Sequence, residues 1–133
     1  MSTAKIMAFL ALFVGISGCF SVLFGAWLAH GGQVLPIALQ ERLSTALQYQ
    51  FIHTLALMLT IVLYKIHRHP VLVFAAAFYT LGVLLFSGSL YIKTFFDVAS
   101  IGKLAPLGGL SFALAWLLLG FASSKMFQHE LGK

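Results

Sequence analysis

The stretch Tyr49-Gln50-Phe51-Ile52-His53-Thr54, running on through Leu55-Ala56-Leu57-Met58-Leu59-Thr60-Ile61-Val62-Leu63-Tyr64, decides what kind of protein this is. Its second half is apolar on every side apart from Thr60 and the closing tyrosine. A helix of that composition belongs in lipid or in the core of a large protein. Its first half carries Gln50, His53 and Thr54 at i, i+3 and i+4, and therefore on one helical face. The stretch predicts a membrane-crossing helix with a polar focus, near which most other polar side chains of the apolar segments can be placed.

Composition extends that reading to the whole chain. Of 133 residues 61% are hydrophobic and 8% are charged, against roughly 25% charged for a soluble domain, and the mean hydropathy is +1.01. So much apolar surface needs lipid around it. At about 20 residues per span, the length fits a single domain of four transmembrane helices, expected over residues 6–29, 44–64, 71–92 and 105–124. The fold class is thus all-α, an integral-membrane four-helix bundle. The net charge of +5 is scattered over termini and loops, with no basic run to grip nucleic acid. The single cysteine, Cys19, leaves no internal disulfide to form.

In the first segment Gly18, Ser21, Gly25 and Ala29 recur at spacings of three or four, a small-residue stripe that lets another helix approach closely. Ile16-Ser17-Gly18-Cys19 has the look of a lipoprotein cleavage site, yet the apolar run continues through Phe20, Val22, Leu23 and Phe24, so a retained helix is expected. Trp27 suits the membrane interface, and His30-Gly31-Gly32 ends the span. Leu39-Gln40-Glu41-Arg42-Leu43, after Pro36, reads as a short surface helix. Lys65-Ile66-His67-Arg68-His69-Pro70 is a basic turn whose proline opens the third helix. Pro106-Leu107-Gly108-Gly109 opens the fourth, and Lys125 to Lys133 form a polar tail. Lys5, Lys65, Arg68, Lys125 and Lys133 fall on one side of the membrane, against Arg42, Lys93 and Lys103 on the other. Five against three places both termini in the cytoplasm.

That orientation brings His30, Gln50, His53, Ser87, Ser89 and Tyr91 to the outer half of the membrane as a candidate ligand-binding polar cluster. With the second helix starting at Ser44, His53 lies about 13 Å from its start. An ionisable group there needs a hydrogen-bond partner or water. Gln50, Ser87, Ser89 and His30 are the candidates. Two readings stand side by side: interhelical polar glue, or a binding site open to the periplasm. No metal site and no cofactor are expected. The histidines lack i+4 partners, and the acids Glu41, Asp97 and Glu130 all lie outside the spans. The same shortage of acids counts against proton-coupled transport, and no third group is visible to orient a nucleophilic serine.

Four blocks also carry a resemblance: Gly25-Ala26-Trp27-Leu28-Ala29-His30-Gly31, Ala46-Leu47-Gln48-Tyr49-Gln50-Phe51-Ile52-His53-Thr54-Leu55-Ala56-Leu57, Leu85-Phe86-Ser87-Gly88-Ser89-Leu90-Tyr91, and Ala105-Pro106-Leu107-Gly108-Gly109. In this order and spacing they resemble the domain of unknown function 423 family of small four-helix membrane proteins. Leu28 departs from that pattern, where relatives tend to have a small residue. The resemblance implies a multi-pass protein of the bacterial inner membrane and implies no activity. The expectation is therefore a non-enzymatic structural or accessory membrane protein, in contact with the lipid bilayer, that self-associates or joins a larger membrane complex. The alternative is binding or transport of a small molecule or lipid at the outer polar pocket.

Overall fold

The computed structural model describes residues 2–131. Met1, Gly132 and Lys133, at the ends of the expected polar termini, lie outside the described residues. Four helices are long and apolar enough to cross a membrane: α1 (Thr3–His30), α2 (Ile37–His67), α3 (Val71–Phe96) and α4 (Ala105–Leu131). No strand occurs among the described residues. The chain is an all-helical membrane protein, as the composition requires.

Each helix outruns its expected span. The 31 residues of α2 rise about 46 Å at about 1.5 Å each, well beyond the roughly 30 Å hydrocarbon core. The largest departure is at its start, for α2 begins at Ile37 and not at Ser44, and Leu39–Leu43 is its first turns rather than a separate surface helix. The cause is Pro36, whose carbonyl accepts the first two helical bonds, from Leu39 N (2.9 Å) and Gln40 N (3.1 Å). Between Ile37 and His67 no Gly or Pro interrupts propagation, and a helix once nucleated continues through such a run. The Gln40 amide nitrogen also ties the preceding turn down, donating to Leu35 O at 2.7 Å and Gln33 O at 3.2 Å.

Helix α2 runs on three residues past the expected end at Tyr64, so only Arg68, His69 and Pro70 of the expected basic turn lie outside it. Arg68 takes the left-handed conformation (φ 54°) and its N–H bonds Tyr64 O at 2.9 Å, a standard way of closing a last turn. Pro70 then precedes α3. Asp97, also left-handed (φ 53°), closes α3, and a 3-10 turn over Ala99–Leu104 leads into α4.

The sequence reading of α3 as an uninterrupted helix needs a second correction, because Val83–Gly88 is a π-helical turn between α-helical stretches Val71–Gly82 and Ser89–Phe96. Such turns hold one residue more than the α-helix and are uncommon outside special sites. Two glycines bring α4 hard against this region. A Cβ on Gly108 would collide with the Phe86 backbone nitrogen and lie 2.7 Å from Phe86 Cβ and 2.8 Å from its Cα. A Cβ on Gly82 would meet the Phe112 ring.

Helices α2 and α3 form the middle of the bundle, and α4 packs chiefly on α3. Leu57, Leu72, Ala76, Tyr79, Phe112, Ala115 and Leu119 make the core there. Helix α1 is peripheral, packed on α2 with a smaller contact to α3. Its inward face runs Met7, Leu10, Val14, Ser17, Ser21, Phe24, Leu28, a 3,4 repeat of the kind that keeps one seam facing a neighbouring helix. The opposite surfaces carry Phe9, Leu12, Ile16 and Leu23, all more than 60% exposed, as lipid-facing residues are.

Gly108→Ala is expected to destabilise the bundle by about 1–3 kcal/mol, the usual penalty for overpacking, because the obstructing atoms belong to backbone. Gly120, with nothing within 4 Å of a built Cβ, is the control, and Gly120→Ala should stay within about 0.5 kcal/mol of the parent. Reversible unfolding in detergent micelles measures both.

Candidate functional site

Three helices meet at one side chain. Gln50, 5% exposed near the middle of α2, donates its amide N–H groups to Ser17 Oγ at 3.0 Å and Ser17 O at 3.3 Å on α1. Its amide oxygen accepts from Tyr91 O–H on α3 at 2.9 Å. One turn on, Thr54 Oγ1 and Ser17 Oγ share a proton contact of 2.7 Å. Ser21 donates back to Ser17 O at 2.9 Å. Every polar atom of the Gln50 amide is thereby engaged inside the protein, the condition for a polar side chain at this depth.

His53 does something else. Its Nδ1 lies 2.6 Å from Tyr49 O, and since a carbonyl only accepts, Nδ1 carries the proton and donates. That bond is local to α2, one turn back. None of the expected partners Gln50, Ser87, Ser89 or His30 hydrogen-bonds the imidazole. The ring instead stacks on Phe112 of α4, with centroids 3.5 Å apart and planes at 14°. Tyr49, Tyr79 and Trp116 surround it at 5.7, 6.0 and 6.3 Å between centroids. Tyr79 is fully buried, and among the described residues its hydroxyl has no hydrogen-bond partner.

The six residues expected to form one cluster are therefore divided. Gln50 and Tyr91 meet. Ser87 bridges α3 to α2 separately, donating to Ala46 O at 2.7 Å, and Ser89 donates to Phe86 O of its own helix at 3.0 Å. His30 is exposed at the end of α1, about 20 Å along that helix from Ser17, so it does not join His53. The expected depth changes too. With α2 starting at Ile37, His53 lies about 24 Å from its start, where the expected start at Ser44 gave about 13 Å.

Sequence reasoning missed Ser17 as the hub on α1, Phe112 as the stacking partner, and Tyr79. Ser17 had a signal, since it precedes Ser21 by four and follows Leu10 and Val14 in the inward repeat. Phe112 had none, because one phenylalanine among 13 is not distinguished by spacing. A cleft of about 240 Å³ lies beside Ser17, Gln50 and Tyr91, walled by Phe13, Ile16, Phe20, Val83 and Leu84. Its polar groups are already bonded to each other, so it offers a guest an apolar surface. Among the described residues no three His, Cys, Asp or Glu side chains converge.

Gln50→Leu should destabilise the protein by about 1–3 kcal/mol, because it leaves the half-buried Tyr91 hydroxyl without its partner and removes the amide bonds to Ser17. Tyr91→Phe should lose less, and the double-mutant cycle should return a coupling of about 0.6–1.7 kcal/mol, the range for interhelical bonds in membranes. A coupling of zero refutes the direct Tyr91–Gln50 bond. Tyr79→Phe, which removes an unpartnered buried hydroxyl, is expected to stabilise by about 1 kcal/mol, read in the same unfolding experiment.

The geometry can be set beside known proteins. The chain is 34% identical over 113 residues to a UPF0382 membrane protein of Haemophilus influenzae, covering 84% of this chain and 90% of that one. It is 32% identical over 112 residues to the UPF0382 inner membrane protein YgdD of Escherichia coli K12, covering 84% and 86%. It is 31% identical over 112 residues to the UPF0382 membrane protein YwdK of Bacillus subtilis, covering 83% and 91%. No solved structure matches the chain significantly. The family model described as protein of unknown function (DUF423) matches residues 24–109, a span that holds the α1–α2 turn, Gln50, His53, the π-helical turn and Gly108. With four membrane-crossing helices and relatives matched along most of their length, the chain belongs to the DUF423 family of small multi-pass membrane proteins.

Proposed function

We propose that this inner-membrane protein is a non-enzymatic accessory component, both termini cytoplasmic, that acts by associating with a second copy of itself through α1. The observation that carries the reading is an open small-residue face in the N-terminal half of that helix. Ala4, Ala8, Ala11, Gly15 and Gly18 follow a 3,4 repeat one residue behind the inward face, hence turned about 100° from it. The first four are exposed, and neither Gly15 nor Gly18 has any atom within 4 Å of a built Cβ.

Of the stripe Gly18, Ser21, Gly25, Ala29 seen in the sequence, Gly18, Gly25 and Ala29 lie within about 40° of one another on this flank, and Ser21 lies about 60° from Gly18, on the inward face. Ser21 is buried with its hydroxyl on Ser17 O, and a Cβ on Gly25 would touch Leu47 at 3.4 Å. Ser21 is thus spent inside the bundle, and Gly25 faces Leu47 of α2. Gly18 belongs to the open face, with Ala11 and Gly15.

Small residues facing lipid forgo packing that a neighbouring helix would supply, and association in membranes rests on such packing. All copies share one orientation in the bilayer, so two α1 helices meet parallel and in register. The face carries no charge to oppose the pairing. Against a reaction at the polar centre, the hydroxyls of Ser17, Thr54, Ser87 and Ser89 are engaged in hydrogen bonds within the fold, which favours holding helices over chemistry. The cleft beside Gln50 supports ligand binding less well, its polar groups being mutually satisfied.

The exposed Cys19, next to Gly18 and one turn beyond Gly15, reports on the interface directly. Oxidation in native membranes should give a Cys19 disulfide-linked dimer, and Gly15→Leu with Gly18→Leu should lower its yield at least tenfold while helicity is kept. A monomer at all protein-to-lipid ratios, by fluorescence energy transfer in liposomes, refutes the reading.

A further inference from the structure

Beyond self-association, the C-terminal half of the same flank of α1, where it lies along α2, carries a site of its own. Two clefts between α1 and α2, of about 760 and 480 Å³, share Gly25, Ser44 and Leu47 as lining residues and so form one continuous groove. Its cause is missing volume, for α1 presents Gly25, Ala26 and Ala29 there, opposite Ser44 and Leu47 of α2. From Ser21 to Ala29 the groove follows about 12 Å of helix.

The two ends differ in chemistry. Toward the middle of the bundle the walls are chiefly apolar, Val22, Ala26, Leu47 and Phe51, with Ser21 and Gln48 among them. Toward the α1–α2 turn they are Gln33, Gln40, Glu41, Ser44 and Thr45. The donors at this polar end are largely committed. Gln33 donates its amide to Leu28 O at 3.1 Å, Gln40 donates to Leu35 O and Gln33 O, and Thr45 donates to Glu41 O at 2.9 Å. What remains is the Glu41 carboxylate, the one charged side chain on the groove wall, with the Gln33 and Gln40 amide oxygens and the Ser44 hydroxyl beside it. Arg42, next in the chain, does not line it.

We infer that this groove holds one phospholipid with a primary-ammonium headgroup, of the phosphatidylethanolamine class. The ammonium lies among Glu41 and the amide oxygens, and an acyl chain lies along Val22, Ala26, Leu47 and Phe51. An ammonium supplies three donors to the carboxylate and the amide oxygens, at the level where the helices leave the hydrocarbon, and the Ser44 hydroxyl is left to face the phosphate of the same headgroup. An anionic headgroup such as phosphatidylglycerol meets a carboxylate and no cation. The apolar end matches an acyl chain, which neither a soluble amine nor a free phosphate provides.

The test is native mass spectrometry of protein reconstituted in equimolar phosphatidylethanolamine and phosphatidylglycerol of matched chains, then extracted in mild detergent. The wild type should retain phosphatidylethanolamine over phosphatidylglycerol by about fivefold, the ratio an exposed ion pair can give. Glu41→Gln, an exposed and isosteric change, should bring that ratio close to one. Ala26→Phe, which fills the groove from its exposed side, should lose retained lipid of either kind, whereas Leu117→Phe on lipid-facing α4 should not. Retention in the bulk ratio, a preference for phosphatidylglycerol, or a preference untouched by Glu41→Gln overturns the proposal. Should Ala26→Phe abolish the dimer and leave lipid retention intact, the groove is a protein interface and the proposal is likewise wrong. Gly15→Leu separates the two readings, since loss of the dimer with the lipid preference intact leaves this site standing by itself.

Discussion

The Gln50 amide is the joint on which the bundle depends. Its nitrogen donates and its oxygen accepts at opposite sides of one planar group, and it does both, toward Ser17 on α1 and Tyr91 on α3. In hydrocarbon no water substitutes for a lost partner, so the amide fixes the rotation of three helices more tightly than apolar packing would. That matters most for α1. Its inward face contributes only Met7, Leu10 and Leu28 as buried large side chains, and its contact with the rest of the bundle is confined to one side. Ser17, bonded by both Gln50 and Thr54, holds this peripheral helix in register.

The π-helical turn of α3 makes that joint geometrically attainable. One extra residue in the turn rotates everything after it by about 100° relative to an unbroken α-helix. Downstream lies Tyr91, whose hydroxyl reaches Gln50; within the turn lies Ser87, whose hydroxyl reaches Ala46 O. The wide turn is held from the other side by Gly108 closing on Phe86 and by Ser111, whose hydroxyl donates to Phe78 O at 2.8 Å. Cross-helix hydroxyls and a glycine contact thus stabilise a backbone that would otherwise relax to α.

These points explain what the sequence reveals and what it conceals. Four spans and a polar focus on the second follow from composition and periodicity, since lipid demands apolar length and leaves few polar side chains to place. The structure keeps the focus but divides it, for Gln50 and Thr54 lie about 40° apart on the α2 surface while His53 lies about 60° on the other side of Gln50. A face about 100° wide touches two neighbours, so Gln50 and Thr54 meet α1 and His53 meets α4. Spacing places residues on a face and does not say which helix stands opposite. The π-helical turn was hidden for a related reason. Nothing in the sequence separates Gly82 from the other glycines of the spans, and only the approach of α4 gives Gly82 and Gly108 their meaning. The sequence sets Leu39–Leu43 apart as a surface helix because it carries Glu41 and Arg42, whereas at the end of one long helix standing clear of the hydrocarbon these charges are at home.

The same division runs along α1 and bears on function. A helix packed on one side only must present the rest of its circumference to lipid or to a partner. In its N-terminal half the flank is Ala and Gly with nothing beside it; in its C-terminal half the flank is hollowed against α2 and ends among acceptors near Glu41. An undifferentiated lipid-facing surface would be filled by large side chains, as Phe9, Leu12, Ile16 and Leu23 fill the outer face of this helix. Where volume has been removed, acyl chains pack poorly against a bare backbone, and the free energy is recovered only when a shaped neighbour enters. A straight helix suits the first half and an amphiphile with a donor headgroup suits the second. The interior, with its donors and acceptors closed on one another, holds α1 where both faces can be used.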